Sequence, residues 1–299
     1  MPRKHTRPPA EMFELILETA RADERVRAVV LNGSRVNPIA KKDAFQDYDV
    51  VYVVTEMDSF IRDPDWIQRF GEILILQTPD DMGEEAALRD MAAPRDRYAW
   101  LAQFRDGNRI DLTLVPVDRR EKLLQDSLRV LLLDKDGLFP PFPPSDDSSY
   151  HIQPPTEKQY DDCCNEILWV SPYAAKGLWR DEPIYTRHAL EVLVRPQLMK
   201  MLAWHAGMRH GYAIAIGSYA KRLRDYLDPV LWRMLEKTWV DGEPEHTWDA
   251  LFLMGNLFRR AAAEVGSALG YAYPEADHRR VTAFLRHIRR LPHGAERLY

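Results

Sequence analysis

Three aspartates stand in sequence contexts suited to holding a divalent cation. Asp47 and Asp49 flank Tyr48 in the β-rich run DYDVVYVV, and Asp111 interrupts the apolar run RIDLTLV. Residues two apart in a strand face the same side, about 6.5 to 7 Å apart, so Asp47 and Asp49 are expected to project together. Neighbouring carboxylates repel each other unless a cation neutralises them, and Mg²⁺ takes such oxygen ligands. The three side chains converge if the strand of Asp111 lies beside that of Asp49.

A tight turn, NGSR, precedes these aspartates and has the composition of a phosphate-binding loop. Gly33 lets the backbone approach a phosphate closely, Ser34 offers an N–H and a hydroxyl, and Arg35 adds a fixed positive charge. An isolated Asp-x-Asp pair is usually a solvated strand edge, and Asp111 alone is equally consistent with a buried aspartate satisfied by backbone N–H groups. The ordered combination favours a metal-dependent nucleotidyltransferase that binds a nucleoside triphosphate.

The elements that must position this site are predicted to form an α+β domain with a mixed sheet. Apolar periodicity of 3.6 predicts a helix over 11–20, and short β-rich runs predict strands. The predicted strands are 26–31, 47–54, 73–77, 98–104 and 110–117. The turn Asp106-Gly107-Asn108 predicts a hairpin between the last two of these strands.

The second half of the chain is predicted to be a helical bundle. Residues 139–155 are rich in Pro, Ser and Asp, which indicates an interdomain connection, so we expect domains at 1–145 and 146–299. Helices are expected at 157–179, 184–210, 219–227, around Leu231 and at 248–269. The basic C-terminal tail is expected to be an amphipathic helix docked on the bundle.

Composition excludes several classes of function. The chain of 299 residues has a net charge of -5, which disfavours a generic nucleic-acid binder. No apolar run approaches the roughly 20 residues of a membrane span, and no apolar segment follows the basic N-terminus as in a signal peptide. The two cysteines, Cys163 and Cys164, are adjacent and fit neither a disulfide staple nor a zinc motif. We therefore expect a cytoplasmic protein without a nucleic-acid or membrane partner.

From about Phe13 to about Tyr273 the chain resembles the aminoglycoside 6-adenylyltransferases, the streptomycin adenylyltransferase family. Seven segments carry the resemblance, in order: DERVRAVVLNGSR, FQDYDVVYVV, DGNRIDLTLVPV, LLLDKDG, DDCCNEILWVSPYAAKGL, VRPQLMKMLAWHAG and ALGYAYP. Several long matches in order are more specific than any single short motif.

The resemblance implies a polymerase-β-like nucleotidyltransferase domain followed by a helical substrate-binding domain. It also implies transfer of AMP from ATP, the co-substrate, to the 6-hydroxyl of streptomycin with one or two Mg²⁺ ions and release of pyrophosphate. Asp47 and Asp49 match the family's metal-binding pair, and Asp111 matches a third carboxylate that acts as general base, metal ligand or both. Gly33 and Ser34 match the phosphate-holding turn.

One helix of the second domain carries candidate substrate contacts. Its polar and aromatic side chains recur at steps of three or four, which aligns them in one stripe: Asp162, Glu166, Trp169, Tyr173 and Lys176. Streptomycin carries two guanidinium groups, so carboxylates and aromatic faces are expected to recognise it. We predict that Asp162, Glu166 and Trp169 contact the drug and that Lys176 lies nearer the triphosphate. An equal alternative is a solvated helix face with Trp169 and Tyr173 packed in the core.

Lys221 is a second candidate for a lysine that contacts the triphosphate. Family members often carry lysine directly after the glycine of AIGSYAKRLRDYL, whereas this chain has Ser218 there. The competing interpretation of Lys221 is a solvated basic face shared with Arg222 and Arg224.

Other functions stay open on the sequence. The same chemistry could act on a different aminoglycoside or another hydroxylated acceptor. A metal-dependent glycosyltransferase also uses Asp-x-Asp, but the early Gly-Ser turn and Asp111 argue against it. A non-catalytic nucleotide-binding module is disfavoured because all three carboxylates are present. The sequence does not specify the oligomeric state.

Overall fold

The computed structural model describes residues 5–83 and 95–299, and the chain divides into two compact units. The first unit is Met1–Ser149 and the second is Tyr150–Tyr299. Strands and short helices form the first unit, and helices form most of the second. The α+β prediction is therefore confirmed.

Within the described residues the first unit holds a six-stranded mixed sheet. The strands are β1 Val26–Asn32, β2 Tyr48–Val54, β3 Ile73–Gln77, β4 Tyr98–Phe104, β5 Arg109–Pro116 and β6 Arg129–Asp134. Their order in the sheet is β3-β4-β5-β2-β1-β6. β2 and β5 are parallel, whereas the other neighbours are antiparallel. The α-helices in residues 5–83 and 95–149 are α1 Pro9–Ala22 and α2 Asp58–Ile61.

β6 is a strand that the sequence analysis did not predict. None of its side chains is fully buried, and Val130 is the most exposed at 36%. The strand forms one edge of the sheet, beside β1. Edge strands bury little side-chain surface, so their sequences carry a weak alternating signal.

β2 lies inside the sheet and packs against a core on each face. Its even-numbered residues, among them Tyr48 and Tyr52, join the larger core together with Ile16 of α1. Val51 and Val53 point the other way into a smaller core. Alternation therefore puts Asp49 on the same face as Val51, at the start of the strand.

The second unit is built mainly from helices, most of which contribute side chains to one core. They are α3 Glu157–Trp179, α4 Pro183–His188, α5 Arg195–Arg209, α6 Leu223–Tyr226, α7 Pro229–Glu236, α8 Pro244–Leu269 and α9 Glu275–Arg290. The bounds of α3 equal the predicted ones, and a capping box between Thr156 and Gln159 fixes its start. The Tyr160 hydroxyl donates to the Ala262 carbonyl at 2.9 Å and joins α3 to α8.

Two helix predictions need correction. The expected helix 184–210 contains a π-helical segment, Ala189–Val194, directly before Arg195 and Pro196. Proline lacks an N–H and so removes one bond of the α-helical pattern there. The expected helix 219–227 is wrong over its first residues, because Tyr219 and Ala220 have φ of 55° and 57°. Only α6 is α-helical in that stretch.

The C-terminal tail is helical, as expected, only as far as Arg290, where α9 ends. Leu285 and Ile288 of α9 join the core of the second unit. Cys163 and Cys164 are buried free thiols on α3, and burial raises the pKa of each to about 12. Across the part of the chain that the structure describes, no helix has the length and apolarity to cross a membrane.

Candidate active site

Strand pairing brings the three predicted carboxylates together. Asp47 immediately precedes β2, Asp49 lies in β2, and the parallel register sets Asp49 directly beside Asp111 of β5. One carboxylate oxygen from each residue lies within 4.8 Å of the others. All three side chains are half-buried. The convergence depends on the parallel β2–β5 pair, which joins segments about 60 residues apart in the chain.

Asp49 and Asp111 belong to a polar row that crosses four strands. In register, Asp111 lies beside Asp49, Asp49 beside Asn32 of β1, and Asn32 beside Arg129 of β6. Residues that are opposite each other across strands share a face of the sheet. The Asn32 amide donates to an oxygen of Asp126 at 2.9 Å, which holds this end of the row. Arg129 is a cation at this end of the sheet that the sequence analysis missed, because β6 itself was missed.

Gly33 packs directly against one of the carboxylates. It follows β1 with φ of +75°, and a Cβ added to it would lie 1.9 Å from Asp49 Oδ2. Only glycine fits both that backbone conformation and that contact. The backbone of the predicted phosphate turn, Gly33–Arg35, therefore adjoins the carboxylate cluster.

Arg35 binds the chain itself in this structure. Its Nε and Nη2 donate to the carbonyls of Asp47 and Gln46 at 2.8 and 2.6 Å, and its guanidinium lies 3.6 Å from the centroid of the Tyr48 ring. The Gln46 side chain in turn donates to the Ser34 carbonyl at 3.1 Å. These bonds tie the turn to the segment that positions Asp47. The phosphate contacts of Ser34 and Arg35 stay predictions.

Arg109 is a second residue that the sequence analysis missed. Its Nε and Nη2 each lie 2.7 Å from an oxygen of Asp111, and its Nε lies 4.0 Å from Asp47 Oδ2. The hydrogen bonds to Asp111 raise the pKa of Arg109 above its usual range, and the charges of Asp47 and Asp49 raise it further. The i, i+2 rule, which was applied to the aspartates, would have placed Arg109 on the face of Asp111.

The donor set fits Mg²⁺. Hard divalent ions prefer carboxylate oxygens, and Asp47, Asp49 and Asp111 offer three within reach of a single ion. The contact of Gly33 with Asp49 leaves the backbone of the turn beside those oxygens, where a metal-bound phosphate would need to lie.

The predicted drug contacts lie along α3 of the second unit. Asp162 and Glu166 are exposed, and Lys158 Nζ lies 2.6 Å from Asp162 Oδ2. Trp169 is 64% exposed, so the alternative that its ring packs in the core is wrong. Tyr173 is half-buried against the core of its unit, in line with that alternative.

The two candidate phosphate lysines also lie in the second unit. Lys176 Nζ lies 5.3 Å from the ring centroid of Tyr173 and 5.4 Å from that of Tyr185. Lys221 follows the turn Ser218–Ala220, and its side chain covers Gly217, where a Cβ would meet its Cγ and Cε at 3.1 Å. Lys176 lies on α3, whereas Lys221 follows a turn, so no single helix carries both lysines.

Comparisons with known proteins show the family of this chain. The family model for streptomycin adenylyltransferase matches residues 6–288. An aminoglycoside 6-adenylyltransferase from Bacillus subtilis (strain 168) is 36% identical over 271 residues, which is 89% of this chain and 93% of that protein. An aminoglycoside 6-adenylyltransferase from Campylobacter jejuni is 37% identical over 272 residues, which is 90% of this chain and 92% of that protein.

Among solved structures, the crystal structure of an aminoglycoside 6-adenyltransferase from Bacillus subtilis matches with 32% identity and a TM-score of 0.47. The match covers 95% of this chain and 100% of that chain. The family model and the curated relatives each span most of the sequence. The chain therefore belongs to the streptomycin adenylyltransferase family.

Proposed function

We propose that this protein transfers AMP from ATP to the 6-hydroxyl of streptomycin in the cytoplasm and releases pyrophosphate. The observation that carries the proposal is the convergence of Asp47, Asp49 and Asp111 beside the turn at Gly33. Membership of the streptomycin adenylyltransferase family supports the choice of nucleotide and acceptor.

The first domain, 1–145 in this proposal, holds the triphosphate. Asp47, Asp49 and Asp111 would hold one or two Mg²⁺ ions, which supply neutralisation of the triphosphate and of the leaving pyrophosphate. The backbone N–H groups and hydroxyl of the turn at Gly33 and Ser34 would bind phosphate oxygens. The turn lies close to Asp49 because Gly33 has no side chain.

The reaction needs a base for the attacking hydroxyl. The drug oxygen forms a bond to the α-phosphorus, the bond from that phosphorus to the bridging oxygen breaks, and the pyrophosphate leaves with that oxygen. The proton of the hydroxyl passes to a carboxylate within hydrogen-bond reach, and Asp111 has this role. Arg109 holds both oxygens of Asp111 and so fixes the orientation of the base.

The second domain, 146–299, binds the drug in this proposal. The exposed carboxylates of Asp162 and Glu166 and the exposed ring of Trp169 suit the two guanidinium groups of streptomycin. Lys176 and Lys221 are the candidates for contact with the triphosphate.

The experiment combines purified protein with ATP, Mg²⁺ and streptomycin, and follows pyrophosphate release and the mass of the drug. We expect a mass gain of one AMP, and Asp49→Asn should lower the rate about a thousandfold, since metal ions supply several kcal/mol of charge stabilisation. Asp118→Asn is the matched control, because Asp118 is 74% exposed and stands outside the carboxylate cluster.

Three outcomes have different meanings. Turnover with another aminoglycoside but none with streptomycin would keep the chemistry and replace the acceptor. ATP binding without turnover on any hydroxylated acceptor would favour the non-catalytic module. Equal activity of Asp49→Asn and wild type would contradict the proposed metal site.

A further inference from the structure

We infer that Arg109 is a positioning residue that competes with the divalent cation for Asp111 and thereby sets the affinity of the metal site. The inference rests on the metal site of the proposed function.

The first argument is the geometry of the Arg109–Asp111 pair. Both oxygens of Asp111 lie 2.7 Å from guanidinium nitrogens, which is a bidentate, charge-assisted contact. A carboxylate oxygen has two acceptor positions, so the guanidinium occupies one on each oxygen and orients the rest. A metal ion must therefore share Asp111 with Arg109 or displace it.

The second argument is the local charge. Asp47, Asp49 and Asp111 bring three negative charges within a few ångströms, and Arg109 contacts Asp111 and lies 4.0 Å from Asp47. Arg109 supplies one positive charge against these three negative charges, and a divalent ion supplies two more. Without Arg109 the cluster attracts a cation more strongly, and its carboxylates repel one another more strongly while no ion is bound.

A neighbouring arginine provides the contrast. Arg105 directly follows β4, the strand that pairs with β5, and its Nε lies 2.7 Å from a carboxylate oxygen of Glu72. Both side chains are more than half exposed, 54% for Arg105 and 59% for Glu72. Asp111 is 18% exposed, and Arg109 is 44% exposed. Arg105→Gln therefore removes an arginine and an ion pair without changing the charge of the cluster.

The test measures Mn²⁺ binding calorimetrically for the wild type, Arg109→Gln and Arg105→Gln, with no substrate present. We expect Arg109→Gln to bind Mn²⁺ ~5- to 10-fold more tightly, as expected for loss of a partly exposed bidentate pair, and Arg105→Gln to stay within about twofold of wild type. We also expect metal-free Arg109→Gln to melt lower than wild type and to gain more thermal stability from Mn²⁺. Arg109→Lys keeps the charge and loses the fork, so its affinity should lie between the two; it replaces Arg109→Gln if the latter does not fold.

Unchanged or weaker Mn²⁺ binding by Arg109→Gln would overturn the inference, and so would the absence of binding in both wild type and variant. A wild type that binds Mn²⁺ but transfers no AMP would overturn the proposed function and leave this inference standing. If the wild type transfers AMP but Arg109→Gln gains no affinity for Mn²⁺, the proposed function stands and this inference is overturned.

Discussion

The two units of this chain present their candidate residues in different ways. In the first unit, the candidates come from β2, β5 and the turn after β1, and strand pairing brings them together. In the second unit, three predicted drug contacts lie along the single helix α3. A helical stripe needs only the 3.6-residue period, and any exposed helix face shows one. Convergence of carboxylates across strands is rarer and is the stronger indication of chemistry.

The candidate residues of the two units also differ in how far they are exposed. Asp49 and Asp111 are half-buried and held by neighbours, whereas Glu166 and Trp169 are exposed. Substitutions in the first unit should therefore change the chemical step or the stability. Substitutions on α3 should change the affinity for the drug.

Among the substitutions that test this comparison, the largest effect is expected from Gly33→Ala. Its methyl group would lie 1.9 Å from Asp49 Oδ2, so the metal-binding carboxylate or the turn must shift. We expect kcat/KM for AMP transfer to fall ~100-fold or more, since misplacement of ~1 Å in a reacting geometry can cost that much.

Gly137→Ala is the control for Gly33→Ala, because Gly137 has φ of +68° and no atom within 4 Å of an added Cβ. Both variants should lose about 1–2 kcal/mol of stability from backbone strain. Equal activity losses in the two variants would mean that the contact with Asp49 has no role in the reaction.

A smaller effect is expected from Arg35→Gln, which separates two roles for this arginine. If Arg35 fixes the segment of Gln46 and Asp47, its loss should lower the free energy of unfolding by about 2 kcal/mol, because two charge-assisted bonds disappear. Urea unfolding measures this, with Arg119→Gln as an exposed control. A raised KM for ATP at unchanged stability would instead support the predicted phosphate contact and contradict the structural role.

The smallest effect is expected from Glu166→Gln on α3. Loss of one exposed carboxylate should raise KM for streptomycin about 10-fold with kcat and melting temperature nearly unchanged, because a charge-assisted bond contributes about 1.5 kcal/mol. Asp161→Asn is the matched control, since Asp161 is exposed on the same helix about 100° from the stripe of Asp162. An unchanged KM for Glu166→Gln would contradict a contact between Glu166 and the drug. It would support the alternative that this face of α3 is only solvated.

Much of the fold could be predicted from local patterns. The period of α3 and its capping box specify a helix over 157–179, and the Asp106-Gly107-Asn108 turn specifies the β4–β5 hairpin. The edge strand β6 could not be predicted, because its side chains are mostly half-buried and alternate weakly. The break at Tyr219 and Ala220 has no sequence signal comparable to a proline or glycine within it.

The sequence by itself determined that Asp47 and Asp49 lie two residues apart at the start of a strand and that Gly33 directly follows the preceding strand, because alternation and turn chemistry are local properties. Only the tertiary structure decided that β5 pairs in parallel with β2, which sets Asp111 beside Asp49 and brings Arg109 onto the cluster. The register between distant strands is fixed by packing the two cores on either side of β2. No short segment of the sequence contains that information.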